Sequence, residues 1–306
     1  MNRKVLILTD GKPGHENQSK ALANALGYDY DVAWVKFSSG FDKFLSYVFD
    51  KFGWISDGLF KTGKLLKGTY AAVIGTGSGT FYPAKVMAKK MGVKCGVVLY
   101  PRGYKLEGFD CIMAPKFDRP EKAYNVVEIP CNLVNADGDF YEKEIKAFLA
   151  RHQPAKQAIG IIIGGPNKCA TMSAEWLKGH LDKIIADNYG CEFWVTTSRR
   201  TPKEIEDLLM GYPFDYRLIF SKDQFNPIPA FVCLASKLFV TAESTGMISE
   251  ACMFGEAEVH VMDNLKPGDH KFRRFVNDLK RTGYINGNKK LSLDTEFALA
   301  HKLMGL

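Results

Sequence analysis

Short apolar segments alternate with helical patterns along the whole chain, and this alternation constrains the fold more than any other feature. Within residues 1 to about 150 the strand-like segments are VLILTD, YDVAWVKF, YAAVIGTG, KCGVVLY, FDCIMA and NVVEI. Strands that alternate with helices are typical of a doubly wound parallel sheet. The first half of the chain is therefore predicted to form such a sheet.

A second series of the same kind follows a helix predicted around residues 140–152. The segment RHQPAKQ after that helix has the composition of a linker, and AIGIIIGG, CEFWVTTS, RLIF, KLFVTAES and EVHVMD are the later strand-like segments. We therefore predict an α/β fold of two Rossmann-like doubly wound domains, residues 1–152 and 153–306, with a ligand cleft between them. The final segment LDTEFALAHKLMGL is predicted to form a helix that packs back on the first domain.

Composition and charge describe an ordinary soluble protein. The 306 residues are 46% hydrophobic and 25% charged, and a net charge of +7 suits acidic ligands without indicating nucleic acid. The seven cysteines form no CxxC pair and are expected to be reduced thiols. The sequence enters a strand at once and contains no membrane-spanning run, so we expect a cytoplasmic protein, either free or at the inner face of the membrane.

The first strand leads into the glycine-rich loop DGKPGH and then into a helix. Gly11 and Gly14 allow close approach of the backbone, and the free N–H groups at the start of the helix attract anions. His15 follows where a proton can be exchanged near neutral pH. Lys12 and Gln18 flank it and are included as candidate binding residues. The alternative is an ordinary loop with a surface histidine.

A second glycine loop, IGTGSGT, follows a later strand of the first half. Its glycines, Gly75, Gly77 and Gly79, do not complete the dinucleotide spacing G-x-G-x-x-G, and the next strand does not end in an acidic residue. A nicotinamide or flavin enzyme is therefore disfavoured, and no cofactor is expected. The backbone N–H groups of this loop, with Ser78, are candidates for binding a phosphate or sugar hydroxyls, and a purely structural turn is the alternative.

Three loops of the second half combine glycine, hydroxyl and basic residues after strands. Arginine binds phosphate in a fork, and a helix start attracts anions, so these loops predict an anion site. A solvated arginine pair and a surface glutamate are the alternatives. The candidates are Gly164, Gly165, Asn167 and Lys168; Thr197, Ser198, Arg199 and Arg200; and Ser244 as a helix cap with Thr245, Gly246, Met247 and Glu250 behind it.

Metal chemistry has little support in the sequence. The six histidines are scattered, and the two D-x-D pairs, Asp29 with Asp31 and Asp137 with Asp139, do not follow strands on the predicted ligand side. No metal site is therefore predicted. No G-x-S-x-G elbow is present either, which disfavours that class of hydrolase.

Residues 41–68 combine many large apolar residues with lysines. Phe41, Phe44, Val48 and Phe52 recur at helical spacing, and lysines are interspersed among them and the later apolar residues, which include Trp54, Leu65 and Leu66. Aromatic residues beside lysines are typical of a segment that lies at a membrane surface. Core helices or a dimer contact are the alternatives.

Four motifs together resemble the mitochondrial-fission Elm-like family, which includes plant proteins and many bacterial relatives described as glycosyltransferases. The motifs are DGKPGHENQS, IIIGGPN, VTTSRRTP and VTAESTGMISEAC, in this order over nearly the whole chain. The resemblance implies a GT-B fold and a nucleotide-sugar donor held mainly by the C-terminal half. It also implies a metal-independent transfer to a surface-glycan or lipid-linked acceptor, with no nucleic acid as a partner.

The resemblance also implies roles for individual residues. His15 would be the general base, Gly75, Gly77 and Gly79 would face the acceptor, and Glu250 would bind the ribose. Two departures bear on nucleotide identity and on activity: ESTGM stands where many relatives have DSVSM, and FGEAEVHV replaces a common glycine-lysine-proline turn. An epimerase or hydrolase acting on a nucleotide sugar, and a non-catalytic recruitment protein, are the competing functions.

Overall fold

The structure is a computed structural model that describes residues 4–64, 68–135, 138–287 and 289–305. It divides into two compact units. The first comprises Met1–Ala136 and Ser292–Leu306, and the second comprises Asp137–Leu291. Each unit is an α/β layer structure around a mainly parallel sheet, so the predicted class of two Rossmann-like doubly wound domains is confirmed.

The first unit contains a seven-stranded sheet with the order β3-β2-β1-β4-β5-β6-β7. All neighbouring strands are parallel except β2 and β3. Its strands are β1 (Lys4–Thr9), β2 (Asp29–Phe37), β3 (Phe60–Thr62), β4 (Tyr70–Thr76), β5 (Lys94–Val98), β6 (Cys111–Pro115) and β7 (Val126–Ile129). Its helices are α1 (Pro13–Ala25), α2 (Gly40–Phe52), α3 (Phe81–Met91) and, from the C-terminus, α10 (Asp294–Met304).

The burial of this sheet explains its apolar segments. The interior strand β1 is buried from Val5 onward, as expected for a parallel strand covered on both faces. Helix α10 packs on β5, β6 and β7, and its Ala300 and Met304 are fully buried. The C-terminal segment of the chain therefore completes the first unit.

The second unit contains a five-stranded parallel sheet with the order β10-β9-β8-β11-β12. Its strands are β8 (Ala158–Ile163), β9 (Glu192–Thr197), β10 (Tyr216–Leu218), β11 (Lys237–Thr241) and β12 (Glu258–Met262). Its helices are α4 (Gly138–Leu149), α5 (Ala174–Asp187), α6 (Lys203–Met210), α7 (Ile228–Leu234), α8 (Thr245–Met253) and α9 (Lys271–Thr282).

Helix α4 belongs to the second unit, whereas the sequence placed the boundary after residue 152. The ring of Phe148 is fully buried and lies 5.0 Å from that of Trp194 on β9 and 5.8 Å from that of Phe231 on α7. The proposed linker is also anchored, because the carboxylate of Glu192 accepts hydrogen bonds from the backbone N–H groups of Ala155 and Lys156. The division between Ala136 and Asp137 therefore differs from the predicted one.

No helix in the described part of the chain is both long enough and apolar enough to cross a bilayer.

Candidate functional site

A carboxylate–imidazole pair lies at the carboxyl end of β1 in the first unit. The sheet order reverses between β1 and β4, and open α/β sheets bind ligands at such a switch point. Asp10 directly follows β1, and His15 lies in the first turn of α1, which Pro13 begins. The Nδ1 atom of His15 is 3.1 Å from both carboxylate oxygens of Asp10. When Nδ1 is protonated and donates a hydrogen bond to Asp10, Nε2 has a free lone pair and can act as a base.

The carboxylate of Asp10 stays charged in this environment. Burial by itself would raise its pKa, but the hydrogen bond from Lys12 and the charges of His15 and Lys12 outweigh burial and lower it. The Nζ atom of Lys12 lies 2.9 Å from Oδ2 of Asp10. Sequence reasoning identified His15 but missed Asp10. The available signal was an aspartate directly after the strand and five residues before the histidine.

The second glycine loop lies against this pair. Gly77 has a φ of +83°, and a Cβ atom there would lie 2.5 Å from Cε1 of His15. A Cβ atom on Gly79 would lie 2.9 Å from Cβ of Asp10, and one on Gly75 would lie 2.7 Å from Oγ1 of Thr80. Gly77 and Gly79 thus make room for the pair, whereas Gly75 makes room for Thr80, and the loop brings Gly77 and Gly79 together with His15.

The remaining candidates of the first unit form local hydrogen bonds in the two glycine-rich loops and in the first turns of α1. Gly11 has a φ of +80°, and its N–H donates to Oγ1 of Thr9. The carbonyl of Gly14 accepts a hydrogen bond from Nε2 of Gln18. The Oε1 atom of Gln18 is buried with no hydrogen-bond partner in the part of the chain that the structure describes. Ser78 accepts a hydrogen bond from Nζ of Lys43 on α2, at 2.9 Å.

The switch point of the second sheet lies between β8 and β11. The N–H of Gly164 donates to Oγ1 of Thr241 at 2.9 Å, and the N–H of Gly165 donates to Oε1 of Glu243 at 2.6 Å. A Cβ atom on Gly164 would lie 2.0 Å from that same oxygen. In this structure the two glycine N–H groups therefore bind protein oxygens, and position 164 needs glycine because Glu243 lies against it.

Glu243 and Asn264 are buried residues of this network that sequence reasoning did not identify as site residues. Glu243 is 2% exposed and also accepts a hydrogen bond from Nδ2 of Asn264, at 2.8 Å. The Oδ1 atom of Asn264 is buried without a hydrogen-bond partner among the described residues. The position of Glu243 two residues after the end of β11 was the signal in the sequence for the first of them.

The loop after β9 packs against this glycine pair through Arg200. A Cβ atom on Gly165 would lie 2.2 Å from the carbonyl oxygen of Arg200, and Nη1 of Arg200 donates to the carbonyl of Gly165 at 3.3 Å. The hydroxyl of Ser198 accepts the N–H of Arg200 at 3.2 Å. Arg199 and Arg200 are both exposed. Their guanidinium groups are therefore accessible to an anion beside the glycine pair.

A cavity of about 350 Å³ opens beside this loop, within the range of small-molecule sites. It brings the predicted arginine loop together with Met247 of α8. It also contains aromatic and amide side chains that the sequence analysis did not single out. The lining residues are Thr196, Thr197, Ser198, Arg199, Arg200, Phe220, Gln224, Phe225, Asn226, Pro227, Ile228 and Met247.

The start of α8 differs from the prediction in one respect. Ser244 occupies the N-cap position, but its side chain makes no capping hydrogen bond. Its backbone, with φ of −102° and ψ of 77°, departs from the extended conformation that directs a cap side chain to the helix N–H groups. Thr245 and Gly246 begin the helix, so the predicted cap is wrong although the helix is present.

Glu250 forms a hydrogen bond with a side chain of α4. It is not one of the described residues that line the cavity. Its Oε1 accepts a hydrogen bond from the hydroxyl of Tyr141 at 2.9 Å. Burial raises the pKa of Glu250, and the Tyr141 hydrogen bond offsets part of that rise. The ring of Tyr141 in turn packs on Phe254, with centroids 4.8 Å apart. The partner of Glu250 was not predicted, because α4 was assigned to the first domain.

The remaining donor-side candidates make local hydrogen bonds or are exposed. The side-chain Oδ1 of Asn167 accepts the N–H of Cys169 at 2.7 Å and closes a turn. Thr197 is buried, and its hydroxyl accepts the N–H of Phe220 at 2.8 Å. Lys168 is exposed. Among the described residues, no group of three or more potential metal ligands occurs.

A family model described as mitochondrial fission ELM1 matches residues 13–296. The fold is similar to that of UDP-GlcNAc 2-epimerase from Methanocaldococcus jannaschii, with 13% identity, a TM-score of 0.55 and 100% of both chains covered. It is also similar to the Neisseria meningitidis UDP-GlcNAc 2-epimerase bound to UDP-GlcNAc, with 13% identity, a TM-score of 0.51, and 100% of this chain and 98% of that chain covered.

These similarities show a GT-B fold with two Rossmann-like units. No curated protein matches the sequence.

Proposed function

Because the chain belongs to the mitochondrial fission ELM1 family, we propose that it is a glycosyltransferase. It would move a sugar from a nucleotide-sugar donor to a hydroxyl group of a surface-glycan or lipid-linked acceptor, in the cytoplasm. The pair formed by Asp10 and His15 is the observation that carries this proposal. This pair can act as a general base at the switch point of the first sheet.

The proposed reaction uses the free ring nitrogen of this pair. Nε2 of His15 removes the proton of the acceptor hydroxyl while its oxygen forms a bond to the anomeric carbon of the donor sugar. The bond between that carbon and the diphosphate oxygen breaks, and the electron pair leaves with the nucleotide. Asp10 holds the Nδ1 proton and stabilises the imidazolium that forms. Gly77 and Gly79 keep both side chains in place.

Donor binding is assigned to the second unit. The exposed Arg199 and Arg200 can neutralise a diphosphate, and the neighbouring cavity of about 350 Å³ has room for the nucleoside. The aromatic rings of Phe220 and Phe225 line that cavity, and such rings suit a base. Glu250 is the proposed ribose ligand. It does not line the cavity among the described residues, so ribose binding requires its carboxylate to leave the Tyr141 hydroxyl and turn toward the ribose.

The first test compares turnover with nucleotide binding. A panel of nucleoside diphosphates is screened by thermal shift, since a ligand that binds the native state raises Tm by mass action. Transfer from the matching nucleotide sugar is then measured in His15→Ala and Asp10→Asn. We expect the turnover of both to fall by about 10²–10⁴-fold while the thermal shift is retained.

His301→Ala provides the matched control, since it removes an exposed histidine on α10 and should leave turnover unchanged. Loss of nucleotide binding in His15→Ala would contradict the assignment as a base. Conversion of the donor to an epimer without acceptor would instead favour the epimerase, and the absence of any nucleotide shift would favour the recruitment protein.

A further inference from the structure

Helix α2 exposes large aromatic side chains that the proposed chemistry does not use. Phe41, Phe44, Phe52 and Trp54 are 67%, 61%, 62% and 57% exposed. The three phenylalanines are separated by three and eight residues, a spacing that keeps them near one side of a helix. We call these four residues the α2 aromatic face.

The ends of α2 hold this face in a defined arrangement. The hydroxyl of Ser39 accepts the N–H of Asp42 at 3.0 Å and caps the helix, and Gly53, with φ of 73°, ends it in the left-handed conformation. The chain then turns, and Trp54 stacks on Phe52 with ring centroids 5.2 Å apart. The face is therefore a fixed feature of the helix.

The side of α2 opposite this face is held against the first unit. Ser46 and Asp50 lie on that side and are buried, and Leu45, Tyr47 and Phe49 flank the helix and pack against the hydrophobic core of the first unit. Large apolar residues on the outer side of such a helix are expected to be covered by protein or by lipid. The described residues leave that side open, and the charges around it indicate its occupant.

The exposed aromatic area is in the range of functional surface patches. At about 200 Å² for each large aromatic side chain, the four exposed fractions correspond to roughly 500 Å². Exposed apolar patches of about 300–600 Å² are often functional. Aromatic rings beside lysines suit shallow insertion into lipid, which needs no second shaped surface.

The charges around the face favour an anionic partner. Lys51 is exposed on α2, and Lys61 and Lys64 are exposed on β3 and just after it. Asp50 binds Lys85 and Asp57 binds Lys90, whereas Asp42 of α2 accepts a hydrogen bond from the hydroxyl of Ser39. The three exposed lysines therefore outnumber the one acidic residue of α2 that has no lysine partner among the described residues. Leu65, Leu66 and Lys67 of the aromatic segment identified in the sequence lie outside the described residues.

We propose that the α2 aromatic face docks the protein on an anionic lipid bilayer, with Phe41, Phe44, Phe52 and Trp54 inserted at the interface and the lysines on the headgroups. The docking surface comprises α2, Trp54 directly after it, and the lysines on and after β3. Its link to chemistry rests on the proposed function. Lys43 of the same helix donates to Ser78, in the loop that lies against Asp10 and His15, so docking would bring a lipid-linked acceptor to that loop.

The test measures binding of the full chain to vesicles by flotation, without nucleotide. Mixed phosphatidylcholine–phosphatidylglycerol vesicles are compared with vesicles of phosphatidylcholine alone. We expect clear binding to the anionic vesicles and weaker binding to the neutral ones. In the variant Phe41→Ser/Phe44→Ser/Phe52→Ser, partitioning should fall by about tenfold or more, because three interfacial aromatics are lost. The charge variant Lys51→Glu/Lys61→Glu should lose the preference for anionic vesicles.

Tyr189→Ser and Tyr124→Ser are matched controls, because these tyrosines are 97% and 77% exposed and lie outside α2. Both should bind vesicles like the wild type, and an unchanged Tm in the triple variant shows that it is folded. Undiminished vesicle binding by the triple variant would overturn the proposal. So would a wild-type dimer in gel filtration that the triple variant dissociates without any change in vesicle binding. Neither result depends on whether His15 is catalytic.

Discussion

At the scale of single residues, folding makes it harder for the Glu250 carboxyl group to lose its proton. Burial raises its pKa above the ordinary value of 4.5. The native state therefore holds the proton more tightly than the unfolded state, so the stability that this group contributes is present below pH 4.5 and lost as the pH rises through the raised value. At neutral pH the native carboxylate carries a desolvation cost.

Removing the charge should relieve this cost. Glu250→Gln keeps an oxygen for the Tyr141 hydroxyl, and we expect it to raise Tm at neutral pH by about 2–4 °C for each kcal/mol gained. The difference from the wild type should disappear as the pH is lowered toward 4.5. Thermal melts of both proteins across that range measure it. A difference that does not change with pH would show that ionisation of Glu250 is not its cause.

Glu243 is a second residue whose environment predicts the effect of substitution on stability, with a large loss for alanine and a small loss for glutamine. Its carboxylate accepts hydrogen bonds from Gly165, Thr241 and Asn264. Glu243→Ala leaves these buried donors unsatisfied, and we expect a loss of about 3 kcal/mol or more in the free energy of unfolding.

Glu243→Gln should be much milder, costing about 1 kcal/mol. The glutamine oxygen can still accept from Gly165, and Asn264 can rotate its amide so that its unpartnered Oδ1 accepts from the new amide group. Urea unfolding of the two variants gives both values. Equal losses would show that the charge, and not the hydrogen bonding, holds these loops together.

At the scale of elements, two glycines of the loop after β4 are needed for different reasons. Both leave space for a neighbouring side chain, but only one of them also has a left-handed backbone conformation. Gly77 has a positive φ and contacts His15, whereas Gly79 has no positive φ and contacts Asp10. Gly79→Ala should therefore displace the carboxylate and reduce turnover by about tenfold or more with little change in Tm. Gly77→Ala should lower both turnover and Tm, because alanine is strained at that φ.

The control for both is Gly179→Ala on α5, where an added Cβ atom meets nothing within 4 Å. It should leave turnover unchanged. Steady-state rates and thermal melts of the three variants distinguish the cases. A Gly79→Ala protein with full turnover would mean that the contact with Asp10 does not position the pair.

The elements themselves were largely predictable from the sequence. The six strand-like segments of the first half occur as β1, β2, β4, β5, β6 and β7, since a buried parallel strand has a continuous apolar sequence. Strand β3 was missed, because its Phe60–Thr62 lie within the aromatic segment and are too few to show alternation. Helices α7 and α9 were also not predicted.

At the scale of the whole molecule, the two units differ in how the chain builds them. The second unit is one continuous stretch, Asp137–Leu291, whereas the first needs α10 from the C-terminus. We expect a fragment of residues 137–291 to fold cooperatively by itself and to keep the nucleotide-dependent thermal shift. A fragment of residues 1–136 should aggregate, because the face of β5, β6 and β7 that α10 covers is left open.

Circular dichroism melts of the two fragments, with and without nucleoside diphosphate, test this expectation. Adding residues 292–306 to the first fragment through a flexible linker is the control, and it should restore solubility. A soluble, cooperatively melting fragment of residues 1–136 would show that α10 is dispensable.

The sequence by itself determined the two α/β halves, the strand-terminal loops and the candidate base, because strand periodicity, glycine-rich turns and helix starts are local features. The tertiary structure decided which residues meet. Asp10 joins His15, Glu243 joins Gly165, and Tyr141 joins Glu250. The last two contacts are 78 and 109 residues apart in the chain, and such partners depend on strand order and packing that no local pattern records. The open outer side of α2 was undecided for the same reason, since its aromatic spacing alone also fits a core helix.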